Sequence, residues 1–347
     1  MTQLIVTTTT YPAGSKASVV QAAAQTAKLP YLLGPWLDLI FLANLYWPVL
    51  FMVAHLGGTE VEGRLLFWQV YFITAPHRWI TLLLVACDRH KTHGREGRFL
   101  GLTGVIILVC LLWQAGSSTL LCLGVVDYLW NAWHFASQHH GIHRIYERRC
   151  ERATSQASVF TEKLLFRGFL LYVIARVAGF GWTSSEWLNG WQATSLDPFI
   201  AIIPAMFLLK QFQTIRSRDR LWNSAYLISV MVLFSALLAA AHWERRTLMI
   251  QLALCSAVFH SIEYMGIVTW ASTTPRYTQR IDLFGKLARQ WGLFLVFFVL
   301  FLGLSNYILA HGNPDLWILI NLIVAFLHYA FDGMIWKSRP QVQGNVT

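Results

Sequence analysis

The chain has 347 residues, of which 56% are hydrophobic and only 13% charged, with a formal net charge of +10. So little charge excludes a soluble globular domain, because the apolar runs approach the roughly 20 residues needed to cross a bilayer core. The basic excess needs no nucleic-acid partner, since basic loops face anionic lipid head groups, and the five cysteines, scattered singly, argue against a disulfide framework or a thiolate zinc site.

Residues 1–30 are rich in Thr, then in Ala, Gln and Ser, and lack the apolar core of a secretory signal, so they read as a short cytoplasmic lead stopped by Pro30. Ten apolar runs follow, at residues 31–55, 65–88, 99–115, 117–140, 163–183, 197–210, 221–242, 247–272, 291–311 and 315–336. The expected fold is all-α: a polytopic membrane protein of about ten transmembrane helices forming one domain over residues 31–337, with a cytoplasmic tail at 338–347. The sixth run spans only about 20 Å at 1.5 Å per residue, which suits a tilted, broken or re-entrant segment. With both termini cytoplasmic, the inner segments hold 21 Lys and Arg, while the outer ones keep only Arg64, Arg245 and Arg246. That asymmetry supports an even number of crossings and a multi-pass protein of a bacterial inner membrane or its equivalent.

The topology sorts the twelve histidines. His55, His242 and His311 fall at outer helix ends and read as wetted interfacial residues. His90 and His93 lie just past the inner end of the second run. His77, next to Arg78 and after Pro76, is near the midplane, and His134 lies about six residues inside the inner end of the fourth run, followed there by His139, His140 and His143. His260 with Glu263, and His328 with Asp332, sit in the eighth and tenth runs. Four even-numbered helices thus each bring an imidazole to the inner half of the membrane, where ionisable groups are costly enough to mark function.

Spacing adds geometry. His260 and Glu263 are three apart and His328 and Asp332 four apart, so each pair shares a helical face. His139 and His143 share one as well, whereas His134 is turned by about 140° from His139 at 100° per residue. Either the chain turns at Gly141, or His134 and the HHGIH group serve different places. Asp127 lies on nearly the same face as His134 and is a candidate acceptor for its imidazole. The plain reading of such residues is a hydrogen-bonded network that holds helices together, with Arg78 paired to Glu263 or Asp332.

Imidazole and carboxylate ligands without thiolates suit iron, zinc, copper or manganese. A set larger than the three protein ligands of catalytic zinc favours iron, as one or two ions, over zinc or copper. The expected metal ligands are His77, His134, His139, His140, His143, His260 and His328, with Glu263 and Asp332 as catalytic carboxylates and Asp127 and Arg78 as supporting groups.

The HFASQH spacing of His134 and His139, the HH pair His139 and His140, and the HHGIH run ending at His143 resemble the integral-membrane histidine-box non-haem iron oxygenases, the desaturases, hydroxylases and alkane monooxygenases. One histidine per helix, at His77, His134, His260 and His328, is similar to the four-histidine site of membrane carotenoid-cleaving oxygenases. Both resemblances imply O₂ activation and attack on a lipid or other apolar small molecule. Electrons would come from a separate cytoplasmic donor, as the chain has no G-x-G-x-x-G fingerprint. The competing classes are a proton- or metal-ion-coupled transporter using the same cluster and a haem protein with two axial histidines.

Overall fold

A computed structural model describes residues 29–88, 92–117, 119–150, 155–182, 193–214 and 220–336. The lead before residue 29, the tail after 336 and His90 lie outside the described residues. Among the described residues every regular element is helical. A short helix α1 (Pro35–Leu37) runs into a wide π turn at Asp38–Leu42. There follow α2 (Trp47–Trp68), a π segment at Gln69–Thr74, α3 (Ala75–Cys87), α4 (Glu96–Gly116), α5 (Leu121–Arg149) and α6 (Gln156–Val177). After these come α7 (Asp197–Ile200), α8 (Ile202–Thr214), α9 (Leu221–His242), α10 (Arg246–Ser272), the short α11 (Pro275–Thr278) and α12 (Leu283–Arg289), α13 (Trp291–Gly312) and α14 (Pro314–Ile335).

Among the described residues six helical stretches are long and apolar enough to cross a membrane: Trp47–Cys87, α4, α9, α10, α13 and α14. The other expected runs take different forms. Residues 31–55 are broken at Asn44, whose φ of 47° ends the first short helix. The expected connection between the first two runs shrinks to a kink at Gly58 (φ 67°, ψ −164°), a conformation open to glycine because it has no Cβ. Helices α5 and α6, 29 and 22 residues long, have the length but carry more polar side chains, four imidazoles on α5 among them. The short sixth run is broken at Ala201 into α7 and α8.

Helix α9 is buried on nearly every side, from Tyr226 and Leu227 through Phe234 to Ala241, and it packs with α5, α6, α8 and α10 around one apolar core. A second core joins α3, α4, α10 and α14. Phe297, Phe301, Leu304 and Ile308 on α13 point outward, as do Leu100, Leu108 and Leu112 on α4, so these helices present an apolar surface fit for lipid. Helix α13 approaches the π segment so closely that a Cβ on Gly303 would collide with the Phe72 ring.

Two polar knots tie the ends. Arg176, fully buried, donates from Nε and Nη2 to Asp197 at 3.1 and 3.0 Å, and the same carboxylate accepts from the Tyr172 hydroxyl and lies 3.0 Å from His242 Nδ1. Buried Asp38 accepts from the backbone N–H groups of Leu32, Leu33 and Gly34 and from the Tyr146 hydroxyl at 2.7 Å. Asp38 therefore stands beside the last turns of α5.

Candidate metal centre

Four helices, α3, α5, α10 and α14, bring one imidazole each into a single layer. Ring centroids are 5.3 Å apart for His77 and His260, 4.9 Å for His77 and His328, 5.1 Å for His134 and His260, and 4.6 Å for His134 and His328. All four side chains are buried, His328 completely. One turn further along, Thr81 on α3 meets Tyr264 on α10, and Tyr264 meets Asp332 on α14. The residues four places after the histidines thus touch one another just as the histidines do, so these helices run parallel.

Local sequence explains the placement of His77. Pro76 has no N–H to return to the preceding turn, so the regular ladder gives way ahead of it, and Ala75 N–H bonds five residues back to Val70. His77 Nδ1 lies 2.6 Å from the Thr74 carbonyl oxygen, which can only accept. The proton of the neutral ring is therefore on Nδ1 and the lone pair on Nε2, which is buried with no partner.

The other rings are oriented in comparable ways. His328 Nδ1 is 2.7 Å from Thr81 Oγ1, whose oxygen is 2.6 Å from the Tyr264 hydroxyl, which donates to Asp332 Oδ1 at 2.7 Å. His134 Nδ1 faces the other oxygen of Asp332 at 3.6 Å. That leaves His328 Nε2 and His134 Nε2 pointing at each other, 3.1 Å apart. Both nitrogens of His260 are buried without a partner, Nδ1 standing 4.0 Å from Glu263 Oε1, and the Phe135 ring stacks on the imidazole at 4.0 Å. An unpaired buried polar atom is costly, and the layer holds three such nitrogens, one on His77 and two on His260.

Helix α5 continues without a break through Gly141, so the 140° turn between His134 and His139 is realised: they serve different places. His139 Nδ1 lies 3.0 Å from Glu263 Oε1 and 3.0 Å from the Tyr226 hydroxyl. Tyr226 also donates to Glu263 Oε2 and Gln138 donates to Oε1, so this wholly buried carboxylate is held on both oxygens. Ligand atoms of His139, His260 and Glu263 all lie within 4.8 Å of one another, a buried group able to hold a metal ion. His260 belongs to both this group and the four-ring layer.

The remaining expected site residues lie elsewhere. His143 has both ring nitrogens engaged, by Asn223 at 2.9 Å and Glu162 at 3.2 Å, and His140 packs against Phe166 with its Nε2 buried and unpartnered. Neither reaches the four-ring layer. His93 is exposed and 3.7 Å from Glu96. Asp127 accepts from the Tyr329 hydroxyl at 3.0 Å, and the carboxylate facing His134 is Asp332 instead. Arg78 forms no ion pair with Glu263 or Asp332; its guanidinium lies 6.0 Å over the Tyr329 ring.

Thr81, Tyr264, Gln138 and Tyr226 are site residues that the sequence reading passed over. Three of them carry a signal at helical spacing: His77, His134 and His260 are each followed four residues later by a polar side chain, Thr81, Gln138 and Tyr264, as His328 is by Asp332. No family model matches the chain, and neither a curated protein nor a solved structure matches it.

Proposed function

We propose that the protein is a membrane-embedded non-haem iron oxygenase acting on a lipid or other apolar small molecule, with the ion held by His77, His134, His260 and His328. The observation that carries this reading is the convergence of four imidazoles from four helices with Nε2 of His77 and both nitrogens of His260 buried and unpaired. Neutral imidazole suits iron, copper and zinc, but catalytic zinc keeps three protein ligands, whereas iron takes four and retains positions for other ligands. When bound, the iron supplies the redox chemistry for O₂-dependent attack on an unactivated carbon.

The chain's own residues position and insulate. Thr74 and Thr81 fix the tautomers of His77 and His328, Asp332 stands 3.6 Å from His134 Nδ1, and Glu263 orients His139 at 3.0 Å. Phe135, Phe234 and Phe259 wall the His139 and His260 side with apolar surface that excludes water. Polar partners lie one turn further along all four helices, on the side facing the basic inner loops, where an acidic electron donor would dock. The His139, His260 and Glu263 group offers a place for a second ion beside the first. Rings in edge contact 4.6 to 5.3 Å apart leave no slot for a porphyrin, which argues against haem.

The test is metal analysis of detergent-purified protein beside His134→Ala, His260→Ala and His328→Ala. One or two irons per chain, lost in all three variants, is the expected result. Absent iron, or iron unchanged in the variants, would overturn the assignment. Lipid profiles of cells with and without the chain then separate an oxygenase from a transporter, because only the enzyme leaves a new hydroxyl, double bond or cleaved product.

A further inference from the structure

Arg78 is the one charged side chain next in sequence to an imidazole of the four-ring layer. It stands nine residues before the end of α3 at Cys87, about 14 Å along the axis at 1.5 Å per residue. That is further than its side chain extends, so it cannot snorkel to the head groups as arginines near helix ends do.

Inside a membrane an arginine is retained where it meets an anion or several acceptors. Among the described residues Arg78 meets neither: Nε is buried without an acceptor, and no carboxylate lies within ion-pair distance of the guanidinium. Its only contact of note is the Tyr329 ring at 6.0 Å. The nearby carboxylates are committed elsewhere, Asp127 to the Tyr329 hydroxyl, Asp332 to Tyr264 and His134, and Glu263 to Gln138, Tyr226 and His139. The guanidinium is thus a planar fork of donors with no partner, adjoining a cluster of buried imidazoles.

We propose that Arg78 binds the carboxylate of an acyl-chain substrate, which enters acid end first, so that the carbons next to the acid lie nearest His77. A carboxylate fits because its two oxygens match the fork of the guanidinium, giving two charge-assisted hydrogen bonds where an alcohol or ester offers weaker, uncharged acceptors. The hydrophobic tail suits the apolar surroundings of α3 and α14. This inference rests on the oxygenase reading for its chemistry, but binding itself needs no metal and is measured apart from it.

The experiment is a scintillation proximity assay with tritiated palmitate on the full-length protein in nanodiscs, metal-loaded and metal-free, with palmitate, methyl palmitate, hexadecanol and acetate as competitors. Wild type is expected to prefer palmitate over the ester and the alcohol by about tenfold or more, the scale of one charge-assisted pair. Arg78→Gln should abolish that preference while keeping the wild-type iron content, and Arg78→Lys, which keeps the charge without the fork, should fall between. Equal binding of acid and ester by wild type would overturn the proposal without recourse to any variant, as would an acid preference that survives in a monodisperse Arg78→Gln protein. Acetate competing as strongly as palmitate, or the absence of saturable palmitate binding, would overturn the acyl-chain assignment. Should wild type prefer the acid yet hold no iron, the oxygenase reading fails and the carboxylate site stands.

Discussion

Thr81→Val isolates the smallest group on which the proposed metal centre depends. Valine keeps the shape of threonine and removes Oγ1, the atom 2.7 Å from His328 Nδ1 and 2.6 Å from the Tyr264 hydroxyl. When Nε2 of His328 binds the ion, Nδ1 carries the proton and donates to Thr81, Thr81 donates to Tyr264, and Tyr264 donates to Asp332. Tyr264 keeps Asp332 as its acceptor in the variant. The loss therefore falls on His328, whose N–H is left in a position that is 0% exposed, where no water replaces the hydroxyl. A buried donor without a partner costs about 1–3 kcal/mol. Loss of such an outer partner typically lowers metal affinity about 10- to 100-fold, equivalent to about 1.4–2.8 kcal/mol, so two independent estimates coincide. Titration of the purified protein with a competing chelator measures the affinity directly, and Thr81→Ser, which keeps the hydroxyl, should restore most of it. A Thr81→Val affinity within about threefold of wild type would refute the orienting chain.

Three further outcomes follow from the same structure. His143→Ala should retain the full iron content that His134→Ala loses, since both nitrogens of His143 are spent on Asn223 and Glu162; parallel metal analysis checks this. Arg176→Met takes the guanidinium from the buried Asp197 carboxylate, leaving it His242 and Tyr172, and should cost about 3–5 kcal/mol, read as a loss of thermal stability in detergent. Gly303→Ala drives a methyl group into the Phe72 ring and should cost about 1–3 kcal/mol in the same melt, with iron stoichiometry unchanged.

The parts of the centre carried by charge and periodicity were legible in the sequence. His77, His134, His260 and His328 stood out because imidazoles are rare in apolar runs, and the angle between His134 and His139 followed from residue count alone. Whether the chain turned at Gly141 was not legible, because a glycine inside an apolar helix is compatible with either course; the continuous α5 decides it. Asp127 was assigned to His134 from a shared face, yet Asp332 on another helix takes that place, since contacts between helices depend on packing register, which sequence spacing along one helix does not contain. The hydroxyl of Tyr226 has neither charge nor telling spacing, whereas Thr81 and Tyr264 each follow a histidine by four residues and are marked by that spacing alone. Asn44 and Gly58, which divide the early apolar stretch, act through positive φ angles that hydropathy does not register.

The four helices that carry the imidazole layer are far apart along the chain, from α3 to α14, although they stand side by side in space. During biosynthesis a ribosome that has passed α10 has supplied three rings, and the fourth arrives only when α14 enters the bilayer. On the proposed assignment the ion would be captured after insertion, and a product truncated before residue 328 would lack one of the four imidazoles. Capture of the ion would then hold α14 against α3 and α5, making the cofactor the last fastener of the assembled helices.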